Sequence, residues 1–328
     1  MSEDKRSLND YSSVEFEESP CPQGCESSDV FLFNAHDRIN SLPGEFTIVE
    51  CTKCGLVRTN PRPTPDTIGF YYPADYGPYL GTRIEQVRGR LYLVRRFLKK
   101  LIDFRAQKIP NMSPGNLLEL GCASGNFLKK MSSEGWLVKG VEFSPVAAAS
   151  ARESGLDVVT GVAESVSLPE NEYDLIVAWM VLEHLHDPIV TLKKLHKSSK
   201  PGAVLAISLP NCKHGMRQFK ADWFPLHVPN HLYHFTPDTA SKLLSRGGWR
   251  VYRCMQQRTL IDLPLSIAFS MQSRGRFVPL ASGLIRILSG RFGLIYNVVM
   301  YPVAFMLSLV NRGTRMTIWA KREDQFPL

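Results

Sequence analysis

Residues 116–127 read NLLELGCASGNF, and this stretch decides the fold. The apolar run Leu117–Leu120 has the length and composition of a buried strand. Gly121 and Gly125 allow the chain to turn tightly and to approach a ligand closely, and a helix is expected from Asn126. A strand, a glycine-bearing turn and a helix form the first half of a βαβ unit, in which ligands bind beyond the carboxyl end of the strand.

Short apolar runs and helical stretches continue to alternate after this unit, which is typical of βαβ units and predicts an α/β domain. The expected strands are Leu117–Leu120, Leu137–Glu142, Asp157–Thr160, Leu175–Trp179, Ala203–Ser208, Trp249–Gln256 and Met316–Lys321. The expected helices are Asn126–Glu134, Pro145–Glu153, Pro188–Leu195 and Thr236–Arg246.

The turn also indicates which ligand the unit binds. Glu142 closes the second strand 21 residues after Gly121, where an acidic side chain can accept hydrogen bonds from ribose hydroxyls. The pattern is not G-x-G-x-x-G, because Ala123 stands in the middle and Gly125 comes one residue early. A nucleoside without a pyrophosphate is therefore favoured over a dinucleotide. The alternative is a glycine turn in an unrelated βαβ unit.

Four blocks in order resemble the class I S-adenosylmethionine-dependent methyltransferases: ELGCASG (119–125), GVEFSP (140–145), YDLIVAWMVLEHLHDP (173–188) and KPGAVLAISLPN (200–211). The resemblance implies a Rossmann-like seven-stranded methyltransferase sheet and S-adenosylmethionine as cofactor. By that resemblance, Glu119, Gly121 and Gly125 would line the methionine end, Glu142 would hold the ribose, and Ala163 and Glu164 would lie near the adenine. Cys122, Ala123 and Phe143 belong to the same expected cofactor site.

Two histidine clusters follow the fourth and fifth strands, where the methyl acceptor should lie. His184 stands in EHLHDP (183–188), and His231 and Tyr233 stand in NHLYHF (230–235). Histidine titrates near neutral pH and suits removal of a proton from a hydroxyl or from a carbon next to a carbonyl. NHLYHF resembles a stretch of sugar C-methyltransferases with a histidine and a tyrosine near the substrate, although Asn230 stands where those relatives have Glu. The alternatives are a structural His184 and a Tyr233 that packs a lid.

Four of the seven cysteines form two close pairs, Cys21 with Cys25 and Cys51 with Cys54. Four thiolates in two such pairs suit a tetrahedral, structural Zn²⁺ ion. An odd cysteine count and the polar first twenty residues favour a reducing, cytoplasmic setting over a secreted one. The segment is also similar to zinc-ribbon-like amino-terminal segments of some sugar methyltransferases.

Charge and hydropathy set the remaining expectations. The 39 Lys and Arg against 31 Asp and Glu give a net charge of +8, and most of the excess lies in an expected basic amphipathic helix between 81 and 110. The segment 259–314 is strongly apolar and fringed with arginines. These features favour a membrane surface, with peripheral binding on the inner face, over a homo-oligomer interface or a buried helical cap. Nucleic acid is disfavoured, because core-type Leu and Phe separate the basic residues.

The expected organisation is a disordered tail (1–20), a zinc-ribbon-like unit (21–80), the basic helix (81–110), the S-adenosylmethionine-binding core (111–258), an apolar helical insertion (259–314) and a last strand with a tail (315–328). The function expected from the resemblance is methyl transfer to a small or lipid-linked acceptor, with a sugar hydroxyl in surface-glycan assembly first. A keto-sugar carbon and a quinone or lipid hydroxyl are the alternatives. A non-catalytic zinc-ribbon binding module with a degenerate cofactor fold is the rival from another class.

Overall fold

A computed structural model describes residues 11–26, 28–73, 104, 106–290 and 292–324. The expected basic helix lies almost entirely outside these residues, as do the ends of the expected tails. The strands are β1 Phe16–Glu17, β2 Asp29–Ala35, β3 Phe46–Cys51, β4 Val57–Thr59, β5 Arg62–Pro63, β6 Asn116–Leu120, β7 Leu137–Glu142, β8 Val158–Thr160, β9 Tyr173–Trp179, β10 Ser199–Pro210, β11 Tyr233–His234, β12 Trp249–Gln256 and β13 Arg315–Arg322. The α-helices are α1 Asn126–Ser133, α2 Pro145–Glu153, α3 Pro188–Ser198, α4 Cys212–Phe219, α5 Pro237–Arg246, α6 Asp262–Ser273, α7 Val278–Ser289, α8 Phe292–Val299 and α9 Tyr301–Leu309.

The expected seven-stranded sheet is present, in the order β12-β13-β10-β9-β6-β7-β8. Strands β6 to β10 pair in parallel, and β13 runs antiparallel between β10 and β12. The strand order reverses between β6 and β9, so a crevice opens at the carboxyl ends of these two strands. Leu117, Leu118, Leu175, Ile176 and Val177 have no exposed surface, because helices cover both faces of the sheet.

The predicted element bounds are confirmed for β7, β12 and α2 and differ elsewhere by a few residues. The largest difference is β10, which was expected at Ala203–Ser208 and spans Ser199–Pro210. Its extension follows from pairing with both neighbours: Pro210 aligns with Arg315 of β13, and Ser199 aligns with Tyr173 of β9. Propensity alone ends a strand at polar residues and proline, whereas a partner strand can extend it.

The amino-terminal region forms small sheets of its own. Strands β2, β3 and β4 are antiparallel, and β11, from the loop after β10, pairs with β4. Part of the segment expected to be a disordered tail is in a strand, since Phe16 and Glu17 pair with Pro63 and Arg62. The pairing of β11 with β4 joins the amino-terminal region to the loops that surround the crevice.

Helices α6 to α9 occupy the chain between β12 and β13. The long apolar run Phe292–Val310 is broken at Met300, where α9 begins and Pro302 occupies its first turn. No single helix among the described residues is long and apolar enough to cross a membrane, and only α7 and α8 together pass that test, with a bend of 87° between them.

Candidate active site

A cavity of about 710 Å³ opens at the carboxyl ends of β6, β7 and β9. One wall, here named the cofactor side, carries residues expected to bind the cofactor: Glu119, Gly121, Cys122, Ala123, Glu142, Phe143, Ala163 and Glu164. The rest of the lining, here named the acceptor side, includes apolar and aromatic residues, three histidines and a few other polar residues: Ile39, Ile68, Tyr72, Phe224, His184, His227, His231, Asp66, Gln107, His186 and Arg315. The structure thus brings most of the residues selected from the sequence to one cavity.

Two expected residues lie outside this lining. Gly125 caps the start of α1 at φ +81°, where an added Cβ would lie 2.2 Å from Leu156 Cδ1, so it shapes the turn from behind. Tyr233 accepts a hydrogen bond from Arg62 at 2.9 Å and donates one to the His186 carbonyl at 3.1 Å. These contacts fix the loop after β9 against the amino-terminal region.

The glycine turn holds its shape through backbone contacts. Gly121 has φ +69°, and a Cβ there would lie 2.6 Å from Val181 Cγ2. The N–H groups of Gly121 and Cys122 donate to the Val141 carbonyl at 2.8 and 3.2 Å, which ties the turn to β7. Only glycine satisfies both the positive φ and the close approach of Val181.

Ala123 occupies the middle of the turn at φ +47°, a conformation that disfavours a residue with a Cβ. Its N–H donates to Glu142 Oε2 at 2.7 Å, and the N–H of Ser144 donates to Glu142 Oε1 at 2.8 Å. These two bonds work to lower the pKa of Glu142, but burial outweighs them and raises it. Each carboxylate oxygen keeps a lone pair that a ribose hydroxyl can use.

Glu119 lies beside Glu142 and is 3% exposed. Burial, and then the nearby Glu142, raise the pKa of its carboxyl group well above the ordinary value. Its Oε2 atom is buried and has no hydrogen-bond partner among the described residues. A buried acceptor without a donor is costly, so a ligand that brings an ammonium or hydroxyl group fits this position.

The acceptor side is built around three histidine rings. The His184 and His231 ring centroids are 4.6 Å apart, and those of His227 and His231 are 4.9 Å apart. Burial lowers the pKa of His184 to about 4, and burial together with His184 lowers that of His227 to about 3. Burial and the neighbouring histidines also place the pKa of His231 well below the ordinary range. All three rings are therefore neutral at pH 7.

The amino-terminal region contacts this histidine cluster directly. The Tyr72 hydroxyl lies 2.9 Å from His184 Nδ1, and Thr59 Oγ1 donates to the His231 carbonyl at 2.9 Å. The Asn230 amide donates to the Tyr71 carbonyl at 2.8 Å. The expected zinc-bearing region and the expected acceptor loops therefore form one continuous wall.

The four paired cysteines lie together in the amino-terminal region. Their sulfur atoms are all within 4.8 Å of one another. In each pair a glycine N–H donates to the carbonyl of the first cysteine at 2.9 Å, Gly24 to Cys21 and Gly55 to Cys51. Both glycines have positive φ. Such turns aim two sulfurs at one point, and the two pairs together present four.

Glu183 and His227 are site residues that the sequence analysis did not select. Nothing in the local pattern EHLHDP (183–188) indicates that Glu183 is buried, yet it has no exposed surface. His227 stands four residues before His231, and the His231 N–H donates to the His227 carbonyl at 2.9 Å. The four-residue spacing of two histidines was the signal that could have identified it.

Residues 90–253 match a family model described as a methyltransferase domain, which is half of the chain. The chain belongs to this methyltransferase family. With the strand order and the cavity at the switch point, this membership identifies an S-adenosylmethionine-dependent methyltransferase with the class I fold. The S-adenosylmethionine cofactor is thereby confirmed as the methyl donor, and the reading of the chain as a non-catalytic module is not favoured.

Similar proteins are known by sequence and by structure. A ubiquinone biosynthesis O-methyltransferase of Dinoroseobacter shibae is 26% identical over 56% of this chain and 78% of its own length. One from Cereibacter sphaeroides is 25% identical over 52% and 73%. A Mesorhizobium loti S-adenosylmethionine-dependent methyltransferase structure matches with TM-score 0.45 and 17% identity, covering 67% of this chain and 95% of that one. An Archaeoglobus fulgidus methyltransferase matches with TM-score 0.43 and 20% identity, over 73% and 97%.

Proposed function

We propose that this enzyme methylates a hydroxyl oxygen on an aromatic ring. The observation that carries the proposal is the make-up of the acceptor side, where neutral histidines sit among Tyr72, Phe224 and Ile68. A sugar needs a polar partner for each of its hydroxyls, whereas a hydroxylated ring needs one or two polar groups and an apolar wall. The names of the relatives, ubiquinone biosynthesis O-methyltransferases, support the same choice.

This proposal changes the order of the sequence-based expectations. A sugar hydroxyl in glycan assembly was placed first, with a keto-sugar carbon and a quinone or lipid hydroxyl as alternatives. The sugar readings rested on NHLYHF and on the likeness of the cysteine-bearing segment to that of some sugar methyltransferases. In NHLYHF the Asn230 side chain is an amide that donates to the Tyr71 carbonyl, so it cannot act as the acid of a Glu-His relay. The quinone or lipid hydroxyl is the alternative that the relatives' names support.

The side chains on the two walls have separable tasks. Bound S-adenosylmethionine supplies a methyl group that is already activated on sulfur. Glu119 Oε2 and the Glu142 carboxylate are the acceptors that would hold its ammonium and hydroxyl groups. His231 donates from Nδ1 to the Pro225 carbonyl at 2.9 Å, which leaves the Nε2 lone pair for the acceptor hydroxyl or for a cation that binds it. Tyr72 and Phe224 would exclude water and orient the ring.

A competition among acceptors tests the proposal. The purified chain is incubated with S-adenosylmethionine and either a ring with two adjacent hydroxyls and an isoprenoid tail, the same ring without the tail, or a nucleotide-linked keto sugar. We expect a mass gain of one methyl group on the ring compounds and none on the sugar. Methylation of the sugar alone would contradict the aromatic acceptor and leave the cofactor assignment intact.

The four-cysteine cluster supports a second proposal, a structural Zn²⁺ ion bound by Cys21, Cys25, Cys51 and Cys54. All four sulfurs are within binding distance of one centre, and none of the four cysteines is in a disulfide. Burial raises the pKa of the Cys21 and Cys54 thiols, so a bound cation is needed to keep them as thiolates. The Gln23 amide donates to the Thr239 carbonyl at 3.0 Å and joins this centre to the start of α5.

Metal content and thermal unfolding test the zinc proposal. We expect at least one tightly held Zn²⁺ per chain and a clear fall in melting temperature when a strong chelator removes it. Cys51→Ser should lose the metal, whereas Cys254→Ser, at an exposed cysteine outside the cluster, should keep it. A chain without zinc and with an unchanged melting temperature would refute the site.

We also propose that α7 to α9 bind the surface of an anionic membrane, which would place the enzyme at the inner face of a membrane in the cytoplasm. Residues 263–314, which include these helices, contain no Asp or Glu but five Arg. The same segment exposes large apolar side chains: Phe277, Val278, Leu280, Ile287, Phe292, Leu294, Ile295, Val299, Val303, Met306, Leu309 and Val310. Positive charge around exposed apolar residues complements anionic lipid rather than a second copy of the same basic surface.

Vesicle sedimentation separates the candidates for this surface. We expect binding to vesicles containing phosphatidylglycerol, weaker binding to phosphatidylcholine, and loss of binding in a Leu280→Ser/Ile287→Ser double variant. Leu137→Ser is the matched control, because Leu137 is 72% exposed on a remote strand. A dimer in solution that the double variant abolishes, with no lipid binding by the wild type, would identify an oligomer interface instead.

A further inference from the structure

Three metal-ligand side chains meet at the acceptor side, away from the cysteine cluster. A Glu183 carboxylate oxygen and one ring nitrogen each of His184 and His231 lie within 4.8 Å of one another. Glu183 and His184 belong to the 3-10 turn Leu182–His184 after β9, and His231 lies in the loop after α4. Two separate segments therefore converge on one point, and His184 and His231 both line the cavity.

The backbone fixes the tautomers of both imidazoles. His184 Nδ1 lies 2.9 Å from the Asn230 carbonyl, and His231 Nδ1 lies 2.9 Å from the Pro225 carbonyl. A carbonyl oxygen can only accept, so each Nδ1 carries the proton and each Nε2 keeps its lone pair. The Tyr72 hydroxyl oxygen, 2.9 Å from His184 Nδ1, can accept from the same N–H group. Histidines that bind metals are held in this way, with one nitrogen on a carbonyl and the other on the ion.

Glu183 adds a third acceptor at the same place. It has no exposed surface, and neither carboxylate oxygen makes a hydrogen bond of good geometry with the described residues. The Arg315 guanidinium contributes positive charge from nearby, but its hydrogen bonds go to Asp262 at 2.6 and 2.9 Å. A buried carboxylate with no hydrogen-bond donor among the described residues, beside two imidazole lone pairs, requires a proton or a cation between them.

We propose that Glu183, His184 and His231 bind a divalent transition-metal ion of the Zn²⁺, Fe²⁺ or Mn²⁺ class, with the remaining coordination positions open to the cavity. Two imidazole nitrogens and a carboxylate suit these ions, whereas the four thiolates of the cysteine cluster favour softer metal ions. Resting on the proposed function, the ion would bind the acceptor hydroxyl oxygen and lower its pKa, so that the oxygen would attack the methyl carbon as a phenoxide while the bond from that carbon to sulfur breaks. The displaced proton passes to solvent, and no redox change is involved.

Metal counting on the full chain tests the site without reference to activity. We expect wild-type protein to bind two equivalents of Co²⁺, one with a sulfur-to-metal charge-transfer band from the cysteines and one without it. Glu183→Gln and His231→Gln should each lose the second equivalent, or weaken it at least about tenfold, and keep the first. His214→Gln, a control at an exposed histidine, should bind two.

Mn²⁺ provides a measurement that needs no variant, because it avoids thiolates and binds carboxylate and imidazole. One equivalent of Mn²⁺ on the zinc-loaded wild type supports the site. The site would be overturned if the wild type bound no Mn²⁺ and only one equivalent of Co²⁺. It would also be overturned if Glu183→Gln bound two equivalents of Co²⁺ as tightly as the wild type. If the metal binds but no ring hydroxyl is methylated, the proposed acceptor fails and the metal site stands. Methylation that is unchanged after the second metal is removed would refute its catalytic role.

Discussion

The two walls of the cavity are assembled in different ways. Most of the cofactor side comes from one continuous segment, 119–143, in which the end of β6, the glycine turn, α1 and β7 follow one another. The acceptor side draws on three distant segments, around Tyr72, His184 and His231. The cofactor side works through backbone N–H groups and carboxylates, and the acceptor side through imidazoles held by backbone carbonyls. We therefore expect substitutions on one wall to change cofactor affinity and those on the other to change turnover.

His231→Gln is the substitution with the largest expected effect. Removing the Nε2 base or ligand should lower kcat by about 10²- to 10⁴-fold, the usual contribution of a positioned acid–base group. The dissociation constant of S-adenosylmethionine should stay within about twofold of wild type. Turnover is measured at saturating cofactor and binding by calorimetry, with His214→Gln as the control. A weakened cofactor affinity with unchanged kcat would break the division between the walls.

Glu142→Ala should weaken cofactor binding and leave turnover nearly unchanged. The carboxylate accepts hydrogen bonds from the Ala123 and Ser144 N–H groups and is the expected partner of the ribose. Its loss should weaken S-adenosylmethionine binding by about 1–3 kcal/mol, while kcat at saturating cofactor changes little. Calorimetric titration measures this, and Glu134→Ala, at the surface end of α1, is the matched control. Equal cofactor affinity in both variants would remove Glu142 from the cofactor side.

Ala123→Gly sharpens the comparison within the glycine turn. Ala123 has φ +47°, so glycine should stabilise the fold by about 1 kcal/mol by relieving strain. Ala149→Gly inside α2 should destabilise it by a similar amount, because there the backbone is helical. Urea unfolding of the two variants measures the opposite signs. Destabilisation by both would show that the Ala123 methyl group makes contacts that outweigh its strain.

Asp174→Asn should have the smallest effect. Asp174 lies near the start of β9, at the opposite end of that strand from the cavity. Partial burial works to raise the pKa of Asp174, but hydrogen bonds from Lys200 at 2.7 Å and from the Asn116 N–H at 2.8 Å outweigh it and lower the pKa. A lowered folded-state pKa gives stability that is present above the unfolded value, about 3.9, and is lost as pH falls through the folded value.

The variant should therefore be less stable than wild type at pH 7, by on the order of 1 kcal/mol or less for this half-exposed pair. The difference should shrink as the pH falls below about 4. Unfolding in urea at pH 7 and pH 3 checks both statements. A difference that grows in acid would mean that the pair does not stabilise the folded state.

Sequence patterns predicted the parts of the site whose chemistry is local. Alternating apolar runs located all seven strands of the main sheet, and the Gly121 turn with Glu142 located the cofactor side. Paired cysteines are likewise visible because each turn is four or five residues long. The zinc ion and the cofactor-binding roles stay predictions, as do the domain division, the membrane surface and the oligomeric state.

The acceptor wall was only partly accessible to such patterns. Tyr233 was selected from its motif, but it packs between Arg62 and the His186 carbonyl instead of lining the cavity. Glu183 was not selected, because nothing in its immediate neighbours shows that a turn buries it against a histidine 48 residues later. Burial and convergence of that kind depend on the way the loops after β9 and β10 pack together.

The sequence by itself determined the α/β order, the ligand-binding turn and the cysteine pairs, because each depends on residues a few positions apart and on periodic burial. Only the tertiary structure decided which histidine nitrogens carry protons, that Glu183 lacks a donor, and that the amino-terminal region completes the acceptor wall. The physical reason is that hydrogen-bond satisfaction and desolvation are properties of a packed neighbourhood, and distant segments form that neighbourhood only when the sheet and its loops have folded.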